Sequence, residues 1–166
     1  MKINIQGLKS GSFELNEAVD FSKVNLENEH VNMKTPFQVQ MNGELFNFNY
    51  QIKLSFVGKV EFPCDRCSET FSYKIDSSVE VIFSKTDLSD DEADEDILTL
   101  GSDATEIDVT DVLLESIVLA FPMKRLHTKK CKGVCECGAN LNIEPCTCKQ
   151  KIDPRWEALA ELKNRN

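Results

Sequence analysis

The sequence has few of the residues and motifs that identify enzymes. Two of its 166 residues are histidine, and it contains no G-x-S-x-G, G-x-x-x-x-G-K-[ST], G-x-G-x-x-G or H-E-x-x-H segment. Those segments present a nucleophile, cradle phosphates or hold a catalytic zinc, so their absence argues against the main hydrolase, nucleotide-binding and metalloprotease classes. We expect a protein that is not an enzyme and has no small-molecule substrate.

Long apolar runs are missing as well. No stretch reaches the roughly 18 consecutive apolar residues that a membrane span requires. The first residues, MKINIQGLKSGSFELNE, lack the charged and then apolar order of a signal peptide. The sequence therefore predicts a soluble, cytoplasmic protein without a membrane partner.

Cysteine, in contrast, is present in an informative arrangement. Of the 7 cysteines, two form a C-x-x-C within PCDRC and five crowd into CKGVCECGANLNIEPCTC. An odd number leaves one thiol over in a disulfide framework, and such short spacings suit soft-metal binding or thiol chemistry better. This pattern predicts a reduced compartment and a structural metal site.

Zinc is the cofactor that these cysteines favour, because Zn²⁺ takes four soft donors with Zn–S bonds of about 2.3 Å. Cysteines two apart point to opposite sides of an extended chain, so a plausible set is Cys131, Cys135, Cys137 and one of the last pair. For the C-x-x-C three interpretations stay open: half a zinc site, a structural or contact turn without metal, and a redox dithiol. The predicted metal ligands are Cys64, Cys67, His127, Cys131, Cys135, Cys137, Cys146 and Cys148.

The net charge of −9 is distributed unevenly along the chain. Residues 1–122 carry 9 Lys and Arg against 23 Asp and Glu, whereas residues 123–166 carry 10 against 5. The density of acidic residues in 85–103 predicts a flexible loop, which lacks the central glycine and final glutamate of a calcium-binding loop. The basic residues around the cysteines predict contact with phosphates, or else a solvated surface that balances the acidic loop. The predicted RNA or partner contacts are Arg66, Lys124, Arg125, Lys129, Lys130 and Lys132.

Apolar residues alternate with polar ones in the first half of the chain. In FNFNYQIKLSF, six apolar residues from Phe46 to Phe56 recur with period two, which predicts a strand with one buried face. Asn42-Gly43 predicts a tight hairpin before it, and Gly58 predicts a bulge or bend within it. A second alternating run follows the C-x-x-C, so the two cysteines should lie at a turn between two strands.

The second half predicts helices and a cysteine-rich extension. DVTDVLLESIVLAFP reads as a mostly buried helix, capped by Asp108 or Thr110 and ended by Pro122. The predicted fold is α+β: a bent antiparallel sheet of four to six strands, or a partly open barrel, with one buried helix and the extension. The predicted domains are 1–122, the β-domain with its helix, and 123–166, the basic extension with a short C-terminal helix.

Several of these segments together resemble the bacterial YceD family of large ribosomal RNA subunit accumulation proteins. The resemblance spans roughly Val57 to Leu162, and its most specific parts are CDRC, DVTDVLLESIVLAFPMKRLH, CKGVCECGANLN and DPRWEALAELK. The family's C-x-x-C corresponds to Cys64 and Cys67, and its C-terminal cysteine box corresponds to Cys131, Cys135 and Cys137. Family members often have a cysteine at the position of His127 and a C-x-x-C where this chain has Cys135-Glu136-Cys137.

The resemblance implies a non-enzymatic cytoplasmic factor that supports accumulation or processing of 23S rRNA during assembly of the large ribosomal subunit. The expected partner is large-subunit rRNA or its precursor, a ribosomal protein, or both. Two other functions stay open. One is a protein–protein adaptor whose acidic loop binds a basic ribosomal protein, and the other is a thiol oxidoreductase.

Overall fold

The computed structural model describes residues 1–6, 11–24, 31–46, 49–85 and 97–148. Two sheets and one helix are formed by these residues. The elements are β1 (Lys2–Asn4), β2 (Ser12–Val19), β3 (Phe37–Phe46), β4 (Asn49–Pro63), β5 (Thr70–Ser84), β6 (Ile97–Thr99), β7 (Glu106–Asp108) and α1 (Thr110–Leu119). The five-stranded sheet has the order β2-β3-β4-β5-β6 and is not closed, while β1 and β7 form a two-stranded sheet. The α+β fold, with its cysteine-rich C-terminal region, is confirmed.

Strands β4 and β5 form the centre of the larger sheet. Each has 15 residues, and they pair antiparallel along their whole length, from Asn49 opposite Ser84 to Pro63 opposite Thr70. Along β4, alternate side chains from Tyr50 to Phe62 are buried, as their period of two predicts. Phe46, at the end of β3, is 74% exposed and was wrongly assigned to the buried face. Phe48 lies outside the described residues.

Two glycines have a different role from the predicted one. Asn42-Gly43 is not a turn, because β3 runs through it and pairs with β4 up to Phe46, which lies opposite Asn49. Gly58 is not a bulge either, because the β4–β5 register continues through it without a break. Instead, each glycine leaves room for an aromatic ring: a Cβ on Gly43 would lie 2.2 Å from the ring of Phe13, and one on Gly58 2.4 Å from that of Phe37.

The pairing of the short strands also departs from a purely antiparallel sheet. β6 pairs parallel with the end of β5, and β1 pairs antiparallel with β7 across about a hundred residues of sequence. Among the described residues the larger sheet has five strands, within the predicted four to six. The three-residue strands β6 and β7 carry too little alternation to be recognised from the sequence. Residues 97–99 lie in the predicted acidic loop but form β6; residues 87–96 of that loop lie outside the described residues.

Helix α1 closes the core. Leu113 and Ile117 are fully buried in one apolar cluster with residues of both sheets, as expected for a helix packed on a sheet. The N-cap position of the helix is occupied by Val109, which supplies no side-chain cap, and not by the predicted Asp108 or Thr110. Asp108 nevertheless accepts hydrogen bonds from the backbone N–H and hydroxyl of Thr110. No helix in the described ranges has the length and apolarity to cross a bilayer. The predicted C-terminal helix lies outside these ranges, and the predicted domain boundary at residue 122 stays a prediction.

Candidate metal centres

The turn between β4 and β5 places the C-x-x-C pair. Cys64 follows the last residue of β4, and its N–H donates to the carbonyl of Glu69 at 2.9 Å. The N–H of Ser68 donates back to the carbonyl of Cys64 at 2.8 Å, and Ser68 adopts a left-handed φ of 58°. This tight reversal brings both thiols to the same side of the turn, so the predicted strand–turn–strand setting of the pair is confirmed.

The chain after α1 returns to this turn and is held there by hydrogen bonds. Asp65 and Arg125 bond twice, from the N–H of Asp65 to the Arg125 carbonyl at 2.8 Å and from the Arg125 N–H to the Asp65 carboxylate at 2.7 Å. The guanidinium of Arg66 donates to the carbonyl of Cys131 at 2.6 Å. These bonds bring a segment about 60 residues further along the chain against the C-x-x-C.

The first metal-ligand group, Cys64, Cys67, His127 and Cys131, is formed at this contact. Its four ligand atoms all lie within 4.8 Å of one another. The sulfurs of Cys64 and Cys131 are 3.8 Å apart, and the Cys67 sulfur lies 3.4 Å from Nδ1 of His127. A tetrahedral zinc with Zn–S bonds of about 2.3 Å needs its sulfurs roughly 3.8 Å apart, so the group has the dimensions of a Cys₃His zinc site.

Burial and charge in the first group fit a structural cation. The three cysteines are buried and pack with Phe71 and Leu126. Burial raises the pKa of Cys64, but the backbone N–H groups of His127 and Arg66 outweigh it and lower that pKa to about 5. The N–H of Glu69 lowers the pKa of Cys67, yet burial and the sulfurs of Cys131 and Cys64 raise it to about 11. The first thiolate forms readily, whereas the negative charge on neighbouring sulfurs opposes formation of a second. A bound cation would neutralise this charge and favour the second thiolate.

The second metal-ligand group, Cys135, Cys137, Cys146 and Cys148, lies in the loop that follows. These four sulfurs also lie within 4.8 Å of one another, and those of Cys137 and Cys146 are 3.3 Å apart. The chain turns sharply at Gly138, whose φ is +89° and whose N–H donates to the Cys135 carbonyl at 2.8 Å. Cys137 and Cys148 are exposed, in contrast to the buried cysteines of the first group.

The thiols of the second group also influence one another. The backbone N–H of Ala139 and the sulfur of Cys146 lower the pKa of Cys137 to about 7. The sulfurs of Cys146 and Cys137 raise the pKa of Cys148 to about 12. As in the first group, a single thiolate is favoured and further ionisation meets like charge.

The structure thus brings all eight predicted ligands together, but in a different combination from the plausible set of the sequence. Cys131 joins the C-x-x-C and His127, whereas Cys135 and Cys137 join both members of the last pair. Cysteines two apart share a group because the chain is not extended there: it turns after Cys135, and the N–H of Cys148 folds back to the Cys146 sulfur at 3.2 Å. Metal binding itself stays a prediction.

The predicted contact residues lie in the same two segments of the chain that carry the first group. Lys124, Lys129, Lys130 and Lys132 are exposed, and we call them, together with Arg125, the basic surface. Arg125 lies over the ring of Phe62 at 5.0 Å, which fixes its guanidinium by a cation–π contact. Arg66 is exposed in part, but its guanidinium is bonded to the first group rather than only to solvent.

One residue at this site was missed from the sequence. Asn142, in the loop between Cys137 and Cys146, donates from its side-chain amide to the Cys131 sulfur at 3.4 Å. Its side-chain oxygen accepts from the N–H of Lys132 at 2.8 Å. No spacing or composition signal distinguishes this asparagine from Asn140, because its contact depends on how the loop folds back.

Comparison with known proteins assigns the chain to a protein family. A family profile described as "Large ribosomal RNA subunit accumulation protein YceD" matches residues 52–163, which include both metal-ligand groups. The chain belongs to the YceD family. The resemblance of the sequence to YceD proteins is thereby confirmed. The family is named for accumulation of large-subunit rRNA and not for a reaction.

Curated relatives of this YceD chain include uncharacterized proteins from Mycobacterium bovis and Mycobacterium tuberculosis. Each is 30% identical over 101 residues, which cover 60% of this chain and 48% of the relative. The chain therefore spans about half the length of the curated relatives it matches. No solved structure is significantly similar to it.

Proposed function

We propose that this YceD protein is a cytoplasmic, non-enzymatic factor that supports formation of the large ribosomal subunit by binding 23S rRNA or its precursor through the basic surface. The family name supports the large-subunit role. The observation that carries the RNA contact is the interleaving of the basic surface with the first metal-ligand group, since His127 and Cys131 lie within the same short segment as its lysines.

A structural zinc at the first group completes this proposal. The three thiols and one imidazole form a standard closed donor set that leaves no position for substrate. Zinc there cross-links the β4–β5 turn to the segment that carries the basic surface. Lysines on a cross-linked segment lose less conformational freedom on binding than lysines on a free tail, so more of the phosphate attraction remains as affinity.

Phosphate contact has a measurable signature. Each Lys or Arg on a phosphate releases a counterion, so log K falls with log salt with a slope of about −0.7 to −0.9 per contact. If all five residues of the basic surface contact phosphates, we expect a slope of roughly −3.5 to −4.5. Residues 1–122, with 9 Lys and Arg against 23 Asp and Glu, repel phosphates on average, so RNA should avoid that part of the chain.

The experiment is fluorescence-anisotropy binding of a labelled 23S precursor fragment at several salt concentrations. We expect the triple reversal Lys129→Glu, Lys130→Glu and Lys132→Glu to reduce affinity by at least about 100-fold at low salt and to flatten the slope by roughly 2 to 3. The matched control reverses three exposed lysines elsewhere: Lys2→Glu, Lys23→Glu and Lys59→Glu. Equal loss in both variants, or in neither, contradicts the proposal.

The two alternative functions, the protein–protein adaptor and the thiol oxidoreductase, predict different observations. Association with ribosomal particles that survives RNase and requires residues 87–96 would indicate the adaptor. A thiol oxidoreductase needs an accessible attacking sulfur, whereas the sulfur-bearing side chains of Cys64 and Cys67 belong to residues only 2% and 8% exposed. Burial of the pair therefore favours a structural turn over disulfide exchange.

A further inference from the structure

The second metal-ligand group has a complete donor set of its own. Four cysteines suffice for a tetrahedral zinc, and a structural zinc takes four ligands. The first group also has four, so neither group needs a donor from the other. The residues between them, Gly133 and Val134, are occupied in backbone contacts: the Val134 N–H donates to the Arg66 carbonyl at 3.1 Å, and a Cβ on Gly133 would lie 3.1 Å from that same oxygen.

We propose that Cys135, Cys137, Cys146 and Cys148 bind a second zinc ion, separate from the first, which holds the loop between them against the first metal-ligand group. The loop is small and has little apolar burial to stabilise it: Ile143 at its tip is 81% exposed. The free energy of metal binding stabilises the fold of such a segment, as it does in zinc knuckles. This inference is independent of the proposed rRNA role.

Backbone geometry supports a site prepared for an ion. Val134 and Asn140 form an antiparallel bridge across the turn, and the Cys135 N–H donates to the Ala139 carbonyl at 2.9 Å. Together with the positive φ of Gly138, these bonds form a compact knuckle that presents Cys135 and Cys137 from one turn. The returning chain supplies the remaining two sulfurs.

The loop closed by the second ion also carries a positioning residue for the first. Asn142 lies between Cys137 and Cys146 and donates its amide to the Cys131 sulfur. Hydrogen bonds to metal-ligating atoms orient them, and their loss typically weakens metal binding by about 10- to 100-fold. The second ion therefore strengthens binding of the first through Asn142.

The decisive experiment is zinc content of the full chain, reconstituted with zinc sulfate under reducing conditions and dialysed, measured by inductively coupled plasma mass spectrometry. We expect two ions per chain for the unaltered protein and one each for the double variants Cys135→Ser with Cys146→Ser, and Cys64→Ser with Cys131→Ser. One ion in the unaltered protein that is lost from the Cys135 and Cys146 variant supports the second site and shows that the first group is empty, whereas one ion that is lost from the Cys64 and Cys131 variant overturns the proposal. So does loss of both ions, or of neither, from the Cys135 and Cys146 variant, with far-UV circular dichroism showing that its sheet is retained.

Cobalt provides a second readout that does not depend on stoichiometry. In the Cys64 and Cys131 variant, Co²⁺ added to the second group should give the intense sulfur-to-cobalt charge-transfer absorption of tetrahedral thiolate ligation. Absence of that band in a folded variant contradicts a four-cysteine site.

The positioning role of Asn142 has its own test. Asn142→Ala should raise the zinc dissociation constant of the first site by about 10- to 100-fold. In the background of Cys64→Ser with Cys131→Ser, where the first site is absent and no coupling remains, it should leave the second site unchanged. The matched control, Ile143→Ala, alters the exposed neighbour in the same loop and should change neither constant. Equal affinity of the first site in both variants would show that Asn142 does not position it.

Discussion

Removal of zinc from the first metal-ligand group should destabilise the whole β-fold. Cys67 and His127 are 60 positions apart in sequence. A cross-link that closes a loop of this length removes about 4 kcal/mol of unfolded-chain entropy by the loop-closure relation. Domains of this size have total unfolding free energies of roughly 5–15 kcal/mol, so we expect a zinc ion bound there to account for a large part of the stability.

The assay is urea unfolding followed by far-UV circular dichroism, with saturating zinc and with a chelator. The variant with Cys135→Ser and Cys146→Ser isolates the first site, and in it the zinc-dependent difference should remain about 4 kcal/mol. This corresponds to a fall in Tm of roughly 8–16 °C on chelation, at about 2–4 °C per kcal/mol.

The variant with Cys64→Ser and Cys131→Ser, which lacks the first site, serves as the control. Each variant is measured with and without zinc and compared with itself, so the cost of burying the two serine hydroxyls cancels. Its sheet should unfold with nearly the same midpoint in zinc and in chelator, since the second group lies outside the strands. If chelation shifts the unfolding free energy of the first-site protein by less than about 1 kcal/mol, well below the loop-closure value, the cross-linking argument is wrong.

Three further substitutions test particular contacts. Gly58→Ala should cost about 1–3 kcal/mol by overpacking against the buried ring of Phe37, whereas Gly101→Ala, where a Cβ meets nothing within 4 Å, should be close to neutral in the same urea titration. Arg66→Ala should lower stability by about 1.5–3 kcal/mol through loss of its bond to the first group; loss of RNA affinity without loss of stability would instead show a direct contact. Asp108→Asn should cost about 0.3–1 kcal/mol at neutral pH, because it removes a negative charge from the N-terminus of α1. Hydrogen bonds from the hydroxyl and N–H of the first helical residue lower the pKa of Asp108 below its ordinary 3.8, so its contribution is present above that pH and is lost as the pH falls further; a titration with the same acid limb in Asp108→Asn would refute this.

The parts of the fold that depend on local pattern were predictable from the sequence. The period of two from Tyr50 onward identifies β4 and its buried face, and the apolar stretch before Pro122 identifies α1. The predictions of a hairpin at Gly43 and of a bulge or bend at Gly58 were wrong, because a glycine in an alternating pattern can also mark the close approach of another side chain. Such a close approach depends on Phe13 and Phe37, which are distant from Gly43 and Gly58 in sequence. A short stretch of sequence around each glycine therefore cannot reveal it.

In the metal-ligand groups, too, the local pattern was predictable and the long-range contacts were not. The sequence predicted as candidate ligands all eight residues that the structure gathers into the two groups, since cysteines at short spacing are an uncommon and specific pattern. It could not assign them, because Cys131 is closer in sequence to Cys135 than to Cys64. The assignment is determined by the return of the chain after α1 to the β4–β5 turn, where backbone bonds between Asp65 and Arg125 hold the two segments together.

Comparison of zinc-loaded and zinc-stripped protein in binding a 23S precursor fragment, against a 16S fragment of equal length, tests the central claim most directly. Zinc-loaded protein should bind the 23S fragment about tenfold or more tightly than stripped protein does, and stripped protein should keep only weak, salt-sensitive binding to both fragments. Identical affinities and preferences with and without zinc would contradict the claim that the metal organises an RNA-binding surface.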